Sequence, residues 1–181
     1  MPMFKGNTAL HPLEGTLLGV AQASLQLVRY QDFKKTIAAV VEIMGKSAEV
    51  DRCYIFENSF IDGEPCMNQL VEWASEGVSL QIESPQLQGV PYNIHPDLYT
   101  SLQTGKAFHG TVASSPEPFH SIMSAQDIQS FLFLPISSRG QLWGFIGYDA
   151  CKEERHWEAA EISALQTLAN ALGFFIENLQ L

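Results

Sequence analysis

The chain has 181 residues, 46% of them apolar, a size that fits one domain with a substantial core. Acidic residues outnumber basic ones by 20 to 10, which gives a formal charge of −10. Because phosphate binding needs clustered Lys and Arg, this charge argues against a nucleic-acid partner. The three cysteines, Cys53, Cys66 and Cys151, show no paired spacing, which argues against a disulfide framework and predicts a reducing, cytoplasmic location.

The N-terminal region predicts a loose lead-in and two helices. Residues 1–12 mix glycine, proline and polar residues, and one domain is expected to follow over 13–181. No signal peptide is recognisable and no run approaches the roughly 20 apolar residues that span a bilayer, so no membrane partner is expected. Apolar residues recur at helical spacing on two faces of 13–28. Asp32 is the expected N-cap of a second helix, which ends near Ala48.

The central region predicts a hairpin followed by a long loop. Strands at 53–58 and 67–74 flank Asp62-Gly63, which is a strong hairpin signal. The segment 75–92 is rich in Gly, Pro, Ser and Gln, and loops of this length inside compact domains tend to be functional. The next elements are expected to be a short helix at 95–103, a strand at 107–112 and a short helix that begins near Ser115.

The C-terminal region predicts two buried strands and a long helix. The strands 129–137 and 141–150 are nearly continuous apolar runs, so both faces of the sheet are expected to be covered. The last helix, 158–179, spaces its apolar side chains by alternating steps of three and four, as a coiled-coil seam does. The order ααββ-loop-αβαββα predicts an α+β domain with a central antiparallel sheet of five to six strands and helices on both faces.

Two segments resemble the GAF family of sensory domains. Residues 50–57, Val-Asp-Arg-Cys-Tyr-Ile-Phe-Glu, are similar to the first strand of GAF domains attached to bacterial histidine kinases and cyclases. Residues 143–149, Trp-Gly-Phe-Ile-Gly-Tyr-Asp, resemble the last strand of the family, and 155–157 with Glu161 resemble its entry into the C-terminal helix. The resemblance extends over 13–179, almost the whole chain.

The residues of the second segment also have a physical interpretation. Gly144 and Gly147 within a strand indicate a bulge or the close approach of another element. Arg155 and Trp157 precede the last helix and are expected to lock the corner between strand and helix. These residues therefore indicate the fold more than a site.

The resemblance implies a regulatory sensor module of a signal-transduction protein, for example in a two-component system, and not an enzyme. GAF domains usually bind a ligand between the sheet and the adjacent loops and short helices. The residues expected to line that cleft, with His109 or His120 as the polar contact, are Trp73, Tyr92, His95, Tyr99, His109, Phe119, His120, Met123, Phe131, Phe133 and Tyr148. The alternative that these aromatic side chains simply fill a small core stays open.

The resemblance also implies a homodimer, because sensor GAF domains often dimerise through their first and last helices and pass a signal to an output domain such as a histidine kinase. The expected interface residues are Leu13, Leu17, Val20, Leu27, Ile162, Leu165, Ala169, Leu172, Ile176 and Leu179. Two alternatives stay open: the two stripes cover only their own sheet, or the domain is an interaction module that binds no ligand.

Missing motifs argue against several activities and ligands. GAF-like methionine sulfoxide reductases place their cysteines between the second and the penultimate strand, a region that has none here. Covalent bilin binders carry a Cys directly before a His, and no Cys lies near His120. The Asn-Lys…Phe…Asp-Glu signature of cyclic-nucleotide binders is also missing. A covalent bilin and a cyclic nucleotide are therefore disfavoured, the ligand is left unknown, and the five histidines show no metal-ligand spacing.

Overall fold

The described residues, 11–30 and 32–179 of a computed structural model, form five α-helices and six β-strands. The helices are α1 (Pro12–Val28), α2 (Phe33–Ser47), α3 (Leu98–Gln103), α4 (Phe119–Ser124) and α5 (Ala159–Asn178). The strands are β1 (Arg52–Ile61), β2 (Glu64–Ala74), β3 (Val90–Pro91), β4 (Phe108–Thr111), β5 (Ser130–Ser138) and β6 (Gln141–Ala150). The lead-in expected over 1–12 lies outside the described residues as far as residue 10.

The strands form one antiparallel sheet in the order β3-β2-β1-β6-β5-β4. This confirms the α+β class and the antiparallel sheet expected from the sequence. The short strand β3 lies within the segment expected to be a loop, where Val90 pairs with Met67. Two residues are too few to show an alternating pattern, so this strand has no sequence signal.

The helix starts follow local hydrogen bonds. Asp32 caps α2 as expected, because its Oδ1 accepts from the backbone N–H of Lys35 at 3.0 Å. The third helix was expected to begin near Pro96 and begins instead at Leu98. The reason is local, since His95 Nδ1 accepts from the N–H of Asp97 at 3.1 Å and holds the preceding residues in a non-helical turn.

Both faces of the sheet are buried, as the continuous apolar strands predict. One face packs against α2 and α5, with α1 packed on these two helices, and contains Ile55, Leu134 and Ile146. The other face packs against α3 and α4 and contains Phe56 and Phe145. Alternate residues along each strand therefore belong to different cores.

A bulge in β2 changes which side chains face each core. Ile55 pairs with Val71 while Phe56 pairs with Gln69, so Leu70 is an extra residue in the strand. Leu70 and Val71 both pack on the helix-covered face, and Gln69 and Glu72 are turned toward α3 and α4.

The apolar stripe of α5, which was predicted to be a coiled-coil seam, packs inside the domain. Leu165, Ala169 and Leu172 have no exposed surface and Ile176 is nearly as buried, because α5 lies along β5 and α1. In α1, Val20 is buried in the same core. The expected interface residues that are buried in this way are Val20, Leu27, Leu165, Ala169, Leu172 and Ile176. Their prediction as a dimer surface is corrected, because the α5 side chains pack on the domain's own sheet and on α1, and Val20 and Leu27 of α1 pack in the same core.

One helix of the described residues, α5, has the length and apolar composition of a membrane span, contrary to the expectation from the sequence. Half of that apolar segment, 50%, is buried inside the fold. A core helix of a soluble domain has the same two properties, so the helix is weak evidence for a membrane.

The corner before α5 is fixed by Arg155. Its Nη1 donates to the carbonyl of Ala48 at 2.6 Å and to that of Glu49 at 3.2 Å, and its Nη2 pairs with the Glu161 carboxylate. The guanidinium carbon lies 5.3 Å from the centre of the Trp157 ring. These contacts confirm that this motif joins the end of α2, the segment after β6 and the start of α5.

The close approach predicted at Gly144 is present, because a Cβ there would lie 2.0 Å from the carbonyl oxygen of Phe56 on β1. We expect Gly144→Ala to lower the free energy of unfolding by roughly 1–3 kcal/mol, measured by urea denaturation, because β1 and β6 would have to separate. Gly110→Ala is the matched control, since its Cβ would meet only Phe131 at 3.5 Å. Equal stabilities of the two variants would contradict this explanation.

Candidate functional site

A small, partly open cavity lies between the sheet face that contains Phe56 and Phe145 and a cover formed by α3, α4 and the segment that precedes α3. It has a volume of about 50 Å³. Ligand sites in proteins usually measure roughly 300–1,000 Å³, so an organic ligand would have to displace part of the wall. The lining residues are Tyr54, Phe56, Met67, Gln69, Glu72, Leu87, Val90, Ile94, Leu98, Phe119, Ile122, Met123, Gln126, Ile128, Phe133 and Phe145.

The floor of the cavity is a stack of aromatic rings on the sheet. The rings of Phe133 and Phe145 lie 4.9 Å apart between centroids, and those of Phe56 and Phe145 lie 5.1 Å apart, both in stacked geometry. Phe119 of α4 meets Phe133 edge-on from the cover, at 6.4 Å. The floor therefore offers a flat apolar surface for a ring.

One end of the cavity is polar and is built on Arg52. The Arg52 side chain is 1% exposed, and it lies 3.8 Å from Glu72 Oε1 and 4.0 Å from Asp149 Oδ2. Its Nε donates to the carbonyl of Ser79 at 3.0 Å, and its Nη2 donates to that of Gln126 at 2.8 Å. Arg52 thus connects three strands to both segments that cover the cavity.

The two carboxylates at this end have different partners. Glu72 Oε2 accepts from the backbone N–H groups of Gln81 and Ile82 at 2.6 and 2.8 Å. Asp149 Oδ1 accepts from the Tyr54 hydroxyl at 2.7 Å. A Cβ at residue 147 would lie 2.1 Å from the Tyr54 ring, so glycine at that position gives Tyr54 the room to reach Asp149.

Three buried polar atoms of this end have no hydrogen-bond partner among the described residues. They are Glu72 Oε1, Gln69 Oε1 and Arg52 Nη1. Of the three residues, Gln69 and Glu72 line the cavity, whereas Arg52 lies behind them. An unpaired buried polar atom typically lowers the stability of the fold by about 1–3 kcal/mol, so a group that formed a hydrogen bond with one of these atoms would recover part of that energy.

Burial controls the ionisation of the carboxyl groups. It raises the pKa of Asp149 to about 7, although the Tyr54 hydroxyl and the Arg52 charge act in the opposite direction. Burial also raises the pKa of Glu72, against the two backbone N–H groups that favour its charged form. The Tyr54 pKa lies well above its ordinary value because of burial and the adjacent Asp149 charge.

The entrance to the cavity is formed by four residues that also line a neighbouring surface groove. Leu87, Val90, Ile122 and Gln126 line the cavity and also a surface groove of about 290 Å³. Movement of these four side chains would join the groove to the cavity. They belong to the segment before α3 and to α4, the regions expected to supply the ligand cleft.

The structure brings some of the predicted ligand residues to the cavity. Phe119, Met123 and Phe133 line it. Tyr92, Tyr99 and Phe131 pack in the same core without lining the cavity.

Two predicted residues lie on the opposite face of the sheet and are corrected. Tyr148 is fully buried in the core of α1, α2 and α5. Trp73 packs so closely on α2 that a Cβ at Gly45 would lie 2.0 Å from its ring. The β2 bulge and the alternation of β6 turn both side chains away from the cavity.

The three predicted histidines also stay outside the cavity lining. His95 packs edge-on to Phe108 and Phe119, with centroids 4.8 and 5.3 Å away, and borders a separate surface groove. His109 is exposed on β4, and His120 Nδ1 lies 2.8 Å from the carbonyl oxygen of Val112. The polar groups of the cavity are instead Tyr54, Gln69, Glu72 and Gln126.

The cysteines are poorly placed for thiol chemistry. None of the three lines the cavity, and Cys53 and Cys66 are buried. Burial raises the pKa of Cys151 to about 12 and that of Cys53 well above its ordinary value, which disfavours the reactive thiolate. Within 11–30 and 32–179 no group of three or more His, Cys, Asp or Glu side chains is arranged to hold a metal ion.

The antiparallel sheet with helices on both faces and the cavity on one face of the sheet define an α+β domain with a candidate binding site. The model of the GAF domain family matches residues 32–176. The chain therefore belongs to the GAF domain family, as its sequence motifs indicate.

A curated relative connects the chain to signalling. The methanogenesis regulatory histidine kinase FilI of Methanothrix harundinacea (strain 6Ac) is 41% identical over 156 residues. The match covers 84% of this chain and 17% of the kinase. The chain thus corresponds to a small part of that protein.

Solved structures with the same fold include bilin-bound domains. One is a far-red absorbing dark state with bound biliverdin IXa, with a TM-score of 0.71, 15% identity and coverage of 90% of this chain and 99% of that chain. Another is the phycocyanobilin-bound GAF domain of a cyanobacterial phytochrome, at 0.70 and 17%, covering 94% and 96%. A third is the chromophore-binding domain of a Stigmatella aurantiaca bacteriophytochrome, at 0.71 and 14%, covering 95% and 62%.

These neighbours overturn the cofactor prediction. The sequence argument disfavoured a covalent bilin because no Cys lies near His120, yet neighbours of this fold carry biliverdin and phycocyanobilin. The exclusion was wrong because a missing attachment motif tests one mode of binding and not the whole ligand class. At identities of 14–17% the likeness shows the fold and assigns no cofactor to this chain.

The raised pKa of Asp149 predicts a pH-dependent stability. Between its ordinary value of 3.8 and about 7 the folded protein binds more protons at this site than the unfolded chain, so this carboxyl lowers stability as pH rises. Asp149→Asn keeps an oxygen that accepts from Tyr54. We expect the variant to gain stability relative to the wild type by on the order of 1 kcal/mol per pH unit over that window. Urea denaturation at several pH values measures this difference.

The control for this measurement is Asp62→Asn at the exposed tip of the β1–β2 hairpin. Its carboxyl is in water in both states, so its stability should follow that of the wild type at each pH. A constant difference between Asp149→Asn and the wild type over the window would contradict the assignment.

Proposed function

We propose that this domain is the sensor module of a larger regulatory protein and that its cavity binds a small organic ligand. The observation that carries the proposal is the pair of unpaired acceptor atoms, Glu72 Oε1 and Gln69 Oε1, at the end of an otherwise apolar cavity. A ligand that donates to them would remove their desolvation cost, whereas a purely structural core would be more stable without them. The family membership and the kinase relative support a regulatory role.

A continuous set of contacts supports a relay from the cavity to the terminal helices. Asp149 lies at the end of β6, and directly after that strand the N–H groups of Cys151 and Lys152 donate to Asp51 at 2.7 and 3.0 Å. Farther along the same segment, Arg155 connects the end of α2 to the start of α5. A shift of the polar end of the cavity would therefore displace the end of α2 and the start of α5.

We propose in addition that a second copy of the chain covers the exposed face of α1. Leu18, Ala21, Leu25 and Val28 are exposed and follow steps of three, four and three, the spacing of a coiled-coil seam. Val28 is 82% exposed, which is costly for an aliphatic side chain in water. We therefore propose these four residues of α1 as the dimer surface, in place of the buried stripe of α5. Leu17, which the sequence predicts in the interface, is exposed at the edge of this stripe.

The relative supports the proposed output domain, and the proposed cytoplasmic location rests on the unpaired spacing of the cysteines. Because the matching kinase extends far beyond this domain, we propose a histidine kinase or similar domain as the output partner, in the cytoplasm. The domain itself would then be regulatory rather than catalytic. The main alternative is an interaction module with no ligand, which the α1 stripe alone would serve.

Ligand binding is tested by native mass spectrometry of protein purified from its host and by thermal shift with a small-molecule panel that includes biliverdin and phycocyanobilin. A ligand present at about 100 times its Kd should raise Tm by roughly 5–10 °C. Val90→Trp should block the entrance and abolish the shift, whereas Leu80→Trp, at an exposed position, should keep it. If no compound shifts Tm and no bound mass is found, the interaction module is the better description.

Dimerisation is tested by sedimentation of the purified domain. The wild type should sediment as a dimer, and Leu25→Glu should make it monomeric because a charge would be buried in the seam. Leu80→Glu is the matched control, since Leu80 is similarly exposed but lies far from α1 in the sequence. A monomeric wild type at high concentration, or a Leu25→Glu variant that stays dimeric, would rule out this interface.

A further inference from the structure

The unpaired side-chain atoms of the two lining residues Glu72 and Gln69 are both hydrogen-bond acceptors. Glu72 Oε1 and Gln69 Oε1 lack a donor, and each belongs to a side chain that is at most 5% exposed. The other Glu72 oxygen is already saturated by two backbone N–H groups, which fixes the carboxylate with Oε1 free. A ligand that completes this site must therefore bring donors.

The charge at the polar end favours a positive head group. Two carboxyl groups, Glu72 and Asp149, share one guanidinium, that of Arg52, and of the two only Glu72 lines the cavity. Arg52 uses Nε and Nη2 on backbone carbonyls, and its remaining nitrogen faces Asp149 and not the cavity. A ligand carboxylate would meet Glu72 before it could reach Arg52 and would be repelled.

The body of the ligand is specified by the floor of the cavity. Phe56, Phe133 and Phe145 are stacked in a row on the sheet, and Met67 and Met123 line the same space. Flat rings and flexible thioethers accommodate an aromatic group better than a sugar or a phosphate, which would leave polar groups unpaired.

We propose that the cavity selects compact aromatic molecules that carry a protonated amine or a comparable N–H donor, with the head group held by Glu72 and Gln69. This inference rests on the proposed ligand-binding function and makes it specific. Glu72 is the principal contact because its acceptor carries charge, and Gln69 adds a second, neutral acceptor.

Three probes with the same ring separate the head groups: 2-phenylethylamine, phenylacetate and ethylbenzene. Binding is followed by NMR of methyl-¹³C-methionine protein at neutral pH, because Met67 and Met123 line the cavity while Met44 lies in the opposite core. The amine should shift the Met67 and Met123 signals and leave Met44 unchanged. Its Kd should be lower than those of phenylacetate and ethylbenzene by at least about tenfold, the usual effect of a charged hydrogen bond.

Two variants locate the head group. Glu72→Gln should weaken amine binding by about tenfold or more and leave ethylbenzene binding unchanged, since the shape is kept and the charge is lost. Gln69→Leu removes the second acceptor without a change of charge and should weaken the amine by a smaller factor. Glu57→Gln is the matched control, because Glu57 is a half-buried carboxylate of β1 that does not line the cavity, and it should bind all probes as the wild type does.

The outcomes separate this inference from the proposed function. If phenylacetate or ethylbenzene shifts Met67 and Met123 at concentrations equal to or below those of the amine, the cavity binds ligands but the head-group inference is wrong. If Glu72→Gln leaves the amine Kd unchanged while its Met44 signal shows a folded core, the inference is also wrong. If none of the probes shifts these signals, the inference fails, and the thermal-shift panel then decides the proposed function independently.

Discussion

The buried guanidinium of Arg52 is the constraint on which the rest of this structure depends. A charge that is 1% exposed needs opposite charges and acceptors close by, and here two carboxylates and two backbone carbonyls supply them. Those partners lie on β2, on β6 and on the two covering segments, at Ser79 and Gln126. Arg52 thus ties both covering segments to the sheet, and its loss would leave two buried carboxylates uncompensated.

The same arrangement explains why the cavity has an open acceptor. Arg52 directs its hydrogen bonds to backbone carbonyls and approaches Glu72 only to 3.8 Å, so Glu72 Oε1 receives charge compensation but no hydrogen bond. Burial raises the pKa of Asp149 to about 7 for a related reason, because one guanidinium cannot fully stabilise two anions in an apolar setting. The cluster of Arg52, Glu72 and Asp149 therefore both stabilises the fold and leaves an acceptor atom without a hydrogen bond.

The sequence predicts the elements well and the site only in part, for physical reasons. Periodicity and caps such as Asp32 identify the helices and the long strands, because these signals are local. The polar end could not be found in this way: Arg52, Glu72 and Asp149 are distant in the sequence, and the Leu70 bulge reverses the side-chain alternation of β2. Periodicity is equally limited for α5, because apolar residues spaced by three and four can pack against a partner helix or against the sheet of the same domain.

The small volume of the cavity also determines how a ligand would act. Because the volume of about 50 Å³ is below that of an organic molecule's site, binding requires that the cover opens, and only ligand contacts absent from the closed state can favour the open one. Glu72 connects the two events, since it lines the cavity and its Oε2 holds the backbone of Gln81 and Ile82 in the cover. A donor that draws the carboxylate inward must stretch or realign those two hydrogen bonds. Opening of the cover would therefore depend on the head group of the ligand as well as on the size of the ligand.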